Sequence, residues 1–112
     1  MKILLLGDIV GRKTIEHLGK TLWTLRRDRQ IDMVVANGEN AGDIMGLSAE
    51  DAKNLLNYGV DILTGGNHTF HNRSLYGMLD DSSCLLRPAN CSDAAPGSGS
   101  TIFECRGARI LI

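Results

Sequence analysis

The sequence predicts an α/β chain built on a mostly parallel sheet with crossover helices, and three observations predict it. Residues 2–6, 33–36 and 60–63 are mainly apolar runs, the first with no polar alternation, which is the pattern of strands in a parallel sheet. Each run ends in a glycine-bearing polar cluster: Gly7-Asp8, then Asn37-Gly38-Glu39-Asn40, then Gly65-Gly66-Asn67-His68. Asp8 and Glu39 are 31 residues apart, and Glu39 and Asn67 are 28 apart. Both intervals are close to the roughly 30 residues of one βαβ unit, so the clusters are expected at one edge of the sheet.

Residues 2–6 read as a strand buried on both faces, with Asp8 emerging where it stops. From Thr14 to about Arg29, Ile15, Leu18, Leu22 and Leu25 recur at steps of three and four, which marks one face of an amphipathic first helix. Trp23 lies beside that stripe and is read as packing. Arg26, Arg27 and Arg29 sit late in the helix, where they complement its dipole. His17 falls on the same helix, away from the strand ends, as a surface residue.

After the second strand, a loop over residues 38–46 carries glycines at 38, 42 and 46, which permits close backbone approach to a ligand and equally suits plain turns. Ser48-Ala49-Glu50-Asp51 resembles a capping box with Asp in place of Glu. Ala49, Ala52, Leu55 and Leu56 supply the buried side of the second helix, and Gly59 stops it. The third strand follows at residues 60–63. Residues 72–79 make a short helix at best, and Cys84-Leu85-Leu86 reads as a fourth strand closed by Arg87-Pro88-Ala89-Asn90. Residues 93–100 form a loop, and residues 101–105 and 108–112 pair through a turn at Arg106-Gly107.

The bulk properties narrow the function classes. With 112 residues, the chain suits one domain. A net charge of -1 lacks the basic bias of a sequence-independent nucleic-acid binder. No apolar stretch approaches the ~20 residues of a membrane span, and the start lacks a signal-peptide cleavage site, so the expected compartment is the cytoplasm. Cys84, Cys91 and Cys105 show no Cys-x-x-Cys spacing and read as reduced residues in or near strands. The chain stops inside the apolar segment Arg109-Ile110-Leu111-Ile112, which is read as the first part of a longer protein; the alternative is a strand that pairs with another subunit in a homo-oligomer.

Asp8, Glu39, Asn40, Asn67 and His68 offer hard oxygen donors, one imidazole and no thiolate. That set suits Mn, Fe, Mg or Zn in a catalytic role. A middle carboxylate could bridge two ions ~3.5 to 4 Å apart, the arrangement used for in-line displacement at phosphorus. An amide oxygen coordinates a cation without adding negative charge, which leaves room for an anionic phosphate. Against this stands the plain reading of each residue as a structural turn former, and three such endings at βα intervals weaken it. His68 and His71 also have the spacing of a two-histidine zinc site, but the preceding glycines place them in a turn.

Gly7-Asp8-Ile9-Val10-Gly11, Asn37-Gly38-Glu39-Asn40-Ala41, Gly66-Asn67-His68-Thr69 and Leu86-Arg87-Pro88-Ala89-Asn90 together resemble the YmdB-like branch of the calcineurin-like metallophosphoesterases, over essentially the whole chain. The resemblance implies the N-terminal half of a four-layer α/β/β/α sandwich, truncated within a single metallophosphoesterase domain. It implies a phosphodiesterase acting on 2′,3′-cyclic nucleotides or an RNA 2′,3′-cyclic phosphate end, with two iron or manganese ions. Asp8 and Asn40 would bind the first metal, Glu39 would bridge, and Asn67 would bind the second. His68 would serve as general acid or transition-state donor, a metal-bound hydroxide would attack phosphorus, and opening at the 2′ oxygen would leave a 3′-phosphate. The family completes its metal shell with three histidines from a second half, and it carries Trp-Asp where this chain has Phe70-His71, so His71 is a candidate substitute ligand.

Two other functions compete. A non-catalytic regulatory or scaffold domain would keep the phosphate- or metal-binding edge without turnover. A doubly wound nucleotide-binding module would also bind phosphate at strand ends, but no Gly-x-Gly-x-x-Gly follows the first strand and no P-loop lysine is present.

Overall fold

The computed structural model describes residues 1–43 and 45–112; Ile44, inside the glycine-bearing loop, lies outside the described residues. The elements are β1 (Ile3–Leu6), α1 (Arg12–Arg29), β2 (Met33–Asn37), α2 (Ala49–Asn57), β3 (Ile62–Thr64), a 3-10 turn (Arg73–Leu75), α3 (Tyr76–Asp81), β4 (Leu85–Leu86), β5 (Ile102–Cys105) and β6 (Ala108–Leu111). Strands β1 to β4 form a parallel sheet in chain order, with Leu6 beside Ala36, Asn37 beside Thr64, and Thr64 beside Leu86. The strands β5 and β6 pair as the expected antiparallel hairpin, with Cys105 opposite Ala108 across the Arg106-Gly107 turn.

Because strand order follows chain order, right-handed crossovers carry every helix to the same side of the sheet. On that side Leu4, Leu6, Val34, Ala36, Leu63 and Leu85 pack with Ile15 and Leu22 of α1, Ala52 and Leu55 of α2, and Leu79 of α3. On the other side Met33, Ile62 and Leu86 pack against Phe103, Cys105, Ile110 and Ile112 of the hairpin and its end. The expectation that β1 is buried on both faces fails: Ile3 is 42% and Leu5 72% exposed. The hairpin covers the middle of that face and nothing described covers β1, so an aliphatic strand here has one wet side.

Capping follows the sequence closely. Ser48 Oγ accepts from Asp51 N at 3.0 Å and donates to Asp51 Oδ2 at 2.7 Å, so the shorter Asp holds the cap through the hydroxyl. Arg26 is committed to tertiary contacts rather than to the helix end alone. It pairs with Asp61 at 2.9 Å and donates to the carbonyls of Gly59 and Asp32. Trp23 is 58% exposed, with its indole nitrogen donating to Asn57 O at 3.2 Å.

At the N-terminal rim of the sheet, Asp32 accepts from Lys2 N at 2.8 Å and pairs with Arg106 of the hairpin turn. The backbone hydrogen bond from Lys2, reinforced by the Arg106 charge, holds the Asp32 carboxyl below its ordinary value of 3.8. A depressed folded-state pKa gives stability that is present above 3.8 and lost as pH falls through the lower folded value. Asp32→Asn is therefore expected to be less stable than wild type at neutral pH, with the gap closing in acid. Thermal melts followed from neutral pH into acid would measure this; a gap that persists at the acid end contradicts it.

Candidate active site

The β2–α2 segment and the β3 turn are laced to the end of β1 at the C-terminal edge. Ile9 N donates to Asn37 O at 3.0 Å, and Gly11 N donates to Asn40 O at 3.2 Å. These bonds pin a tight bend in which Asp8 adopts a φ of 43°, a left-handed conformation that Asp tolerates better than most side chains. Beyond β3, Thr69 closes the turn by accepting from Gly66 N and donating to Gly66 O, both at 2.8 Å. Thr69 is buried, so this turn is rigidly seated.

Four of the five singled-out residues are hydrogen-bonded to one another. Asn40 Nδ2 donates to Asp8 Oδ1 at 2.8 Å, Asn40 Oδ1 lies 2.6 Å from His68 Nδ1, and Glu39 Oε2 accepts from His68 N at 2.9 Å. With its nitrogen on the Asp8 carboxylate, Asn40 presents its oxygen to the imidazole. An amide oxygen can only accept, so His68 carries its proton on Nδ1 and has Nε2 left for another partner. Asn67 is exposed at the same turn and makes no side-chain hydrogen bond to the others among the described residues. His71 packs edge-on to His68, with ring centroids 4.9 Å apart, while His71 N donates to His68 O at 3.1 Å. That is turn geometry, as the glycines suggest. His17 is exposed on α1.

The donors fit a cation chemically. One lone pair of Asn40 Oδ1 faces His68, which leaves another, and Asp8 Oδ2 and Glu39 Oε1 have no hydrogen bond among the described residues. The Glu39 carboxylate lies over the bare Cα of Gly66, in space that a Cβ would fill. No group of three His, Cys, Asp or Glu side chains able to hold an ion gathers among the described residues. Two carboxylates, two amides and one imidazole are what this edge contributes.

Two residues near the site have roles that the sequence alone does not assign: Arg12, and Asn37 of the strand-end cluster. Arg12, the first residue of α1, pairs with Asp43 at 3.2 Å and approaches Asp51 at 4.0 Å, tying the helix to the glycine loop and to the α2 cap. Those carboxylates hold its guanidinium pKa above the usual value. Asn37 ends β2 with Nδ2 donating to Gly65 O at 3.2 Å while its Oδ1 is buried without a partner among the described residues. The signal for Arg12 was its place directly after Gly11 at a helix start. For Asn37 it was an amide at the last position of an otherwise apolar strand.

The chain matches the YmdB-like protein family over residues 4–112. It is 31% identical over 112 residues to a 2′,3′-cyclic-nucleotide 2′-phosphodiesterase of Bacillus subtilis, covering all of this chain and 42% of that protein. Its fold is similar to a hypothetical protein from Thermus thermophilus, with a TM-score of 0.89 and 34% identity over 99% of this chain and 43% of that one. A phosphatase from Mycoplasma pneumoniae superposes with a TM-score of 0.88 at 30% identity, again over 99% of this chain and 41% of the other. The chain therefore spans less than half the length of these relatives. No helix among the described residues is long and apolar enough to cross a membrane. Its sheet with helices on one side, its strand-end motifs and its family match agree: the chain belongs to the YmdB-like family.

Proposed function

We propose that the chain contributes the N-terminal half of a metal-dependent phosphodiesterase site for 2′,3′-cyclic nucleotides or RNA 2′,3′-cyclic phosphate ends. The observation that supports it best is the hydrogen-bonded set Asp8, Asn40, His68 and Glu39, drawn from three strand ends to one edge. Asp8 and Asn40 would hold one ion, Glu39 would bridge, and Asn67 would hold the second, with iron or manganese preferred and zinc or magnesium as alternatives. Bound ions would supply positive charge to the phosphoryl oxygens and lower the pKa of water toward neutrality. With Nδ1–H held by Asn40, His68 would act as general acid only when it carries a second proton on Nε2, which it would pass to the leaving 2′ oxygen to leave a 3′-phosphate. The Asn40 bond and the Glu39 bond to its backbone would orient the ring. With the family's remaining ligands outside this chain, the isolated 112 residues should hold metal weakly.

The test is calorimetric Mn2+ titration followed by turnover of 2′,3′-cyclic AMP, with the chain alone and mixed with a polypeptide matching the remaining part of the longer relatives. Weak metal binding alone, and hydrolysis on mixing that disappears in Asn67→Ala and His68→Ala, is the expected result. Nucleotide binding with no turnover in either setting would favour the regulatory or scaffold reading.

A further inference from the structure

Past Thr64 the backbone ladder between β2 and β3 runs out, and side chains take over as its rungs. Gly38 N donates to Thr64 O at 3.1 Å, Asn37 Nδ2 donates to Gly65 O at 3.2 Å, and Glu39 Oε2 accepts from His68 N at 2.9 Å. Asn37 also serves β1, since its backbone oxygen receives Ile9 N, the residue directly after Asp8. One residue thus touches the loop of Asp8 through its main chain and the turn of Asn67 and His68 through its amide, and it lies two positions before Glu39.

We infer that Asn37 is a positioning residue of the site, and that its amide nitrogen sets the spacing between the loop carrying Glu39 and the turn carrying Asn67 and His68. This rests on the proposed metal-dependent function for its consequence, though not for its geometry. Asn is poorly suited to strands, and here its Oδ1 is buried with no partner among the described residues, a cost that a threonine or valine would avoid. What an aliphatic side chain at this position could not provide is a donor to Gly65 O. That carbonyl immediately precedes Gly66, over which the Glu39 carboxylate lies. Without the Nδ2 bond, Glu39 and Asn40 hold the turn to the segment that follows β2, and both must then act as strut and ligand.

The experiment compares Asn37→Asp and Asn37→Ser with Asp61→Asn. Aspartate keeps the size and turns the donor into an acceptor facing another acceptor; serine keeps neutrality and shortens the reach. Asp61 accepts from Val34 N at 2.7 Å and pairs with Arg26 at the opposite rim, so its variant weakens the fold far from the site. Two readouts are taken: amide hydrogen exchange in the metal-free chain, and Mn2+ affinity by electron paramagnetic resonance in the chain mixed with a polypeptide matching the remaining part of the longer relatives.

For both Asn37 variants, exchange at His68 N and Mn2+ dissociation are each expected to rise about tenfold or more, the usual scale for residues that orient metal ligands. The strand amides of Val35 and Leu63 should keep their protection. Asp61→Asn should leave both site readouts unchanged at a comparable loss of melting temperature. The inference is overturned if the Asn37 variants preserve His68 protection, or if Asp61→Asn loosens the turn as much as they do. Should Asn37→Asp not fold, Asn37→Ser decides alone. A wild-type mixture that binds no Mn2+ would defeat the functional reading while leaving the exchange comparison to decide this one.

Discussion

Gly66→Ala is expected to weaken Mn2+ binding by about a hundredfold while the fold survives, as an altered arrangement of metal ligands implies. A methyl group on Gly66 would overlap Cδ and both carboxylate oxygens of Glu39. Gly66 has an ordinary backbone conformation, so alanine meets no torsional penalty there. The colliding atoms are the far end of a flexible side chain, and Glu39 can swing aside cheaply. The bond from His68 N to Glu39 is lost in doing so, at about 1 kcal/mol. A stable protein with a broken site is therefore the expected outcome. Calorimetric Mn2+ titration of the chain mixed with a polypeptide matching the rest of the longer relatives, beside a thermal melt, would measure both halves, and retained metal affinity would show that Glu39 does not act from this seat.

Arg87→Ala carries the largest expected cost to stability, about 2–4 kcal/mol, because it removes a buried side chain and strips partners from three part-buried carbonyls. Arg87 is buried at the end of β4, and its side chain donates to Gly97 O and Pro88 O at 3.1 Å and to Cys91 O at 3.5 Å. No carboxylate pairs with it among the described residues, so its role is to satisfy main-chain oxygens of the loop that follows β4. A lysine would not substitute, since a single ammonium on a flexible stem cannot reproduce the planar fork. Urea titrations of wild type, Arg87→Ala and Arg87→Lys test this. Equal midpoints for wild type and the lysine variant would show that charge alone suffices.

Much of the arrangement was legible because distance along a parallel sheet is set by chain length. The spacings of 31 and 28 residues allowed one helical crossover each, and that alone carried Asp8, Glu39 and Asn67 to one edge. The Ser48 cap, the Gly59 stop and the Arg106-Gly107 hairpin were readable for a similar reason: each is a local rule of backbone conformation. The third strand, expected at residues 60–63, sits slightly later, at Ile62–Thr64, since Val60 N is taken by Leu55 O at the end of α2 and the first bond to β2 is from Asp61 N to Val34 O. The exposure of β1 was not legible. Hydropathy reports that Leu5 favours burial, and it cannot report whether a covering layer is present. The Asn40 to His68 contact was equally hidden, because it joins side chains 28 residues apart whose orientations depend on two separate bends.

The bare face of β1 has a practical consequence. This strand is also the outermost of its sheet, so Ile3 and Leu5 stand beside a row of main-chain amides and carbonyls with no strand on their outer side among the described residues. Grease next to an open ladder is an adhesive combination, to which another β-layer or another molecule can adhere without any rearrangement. Protein concentration, more than temperature, would then govern how long a preparation of these 112 residues stays monodisperse.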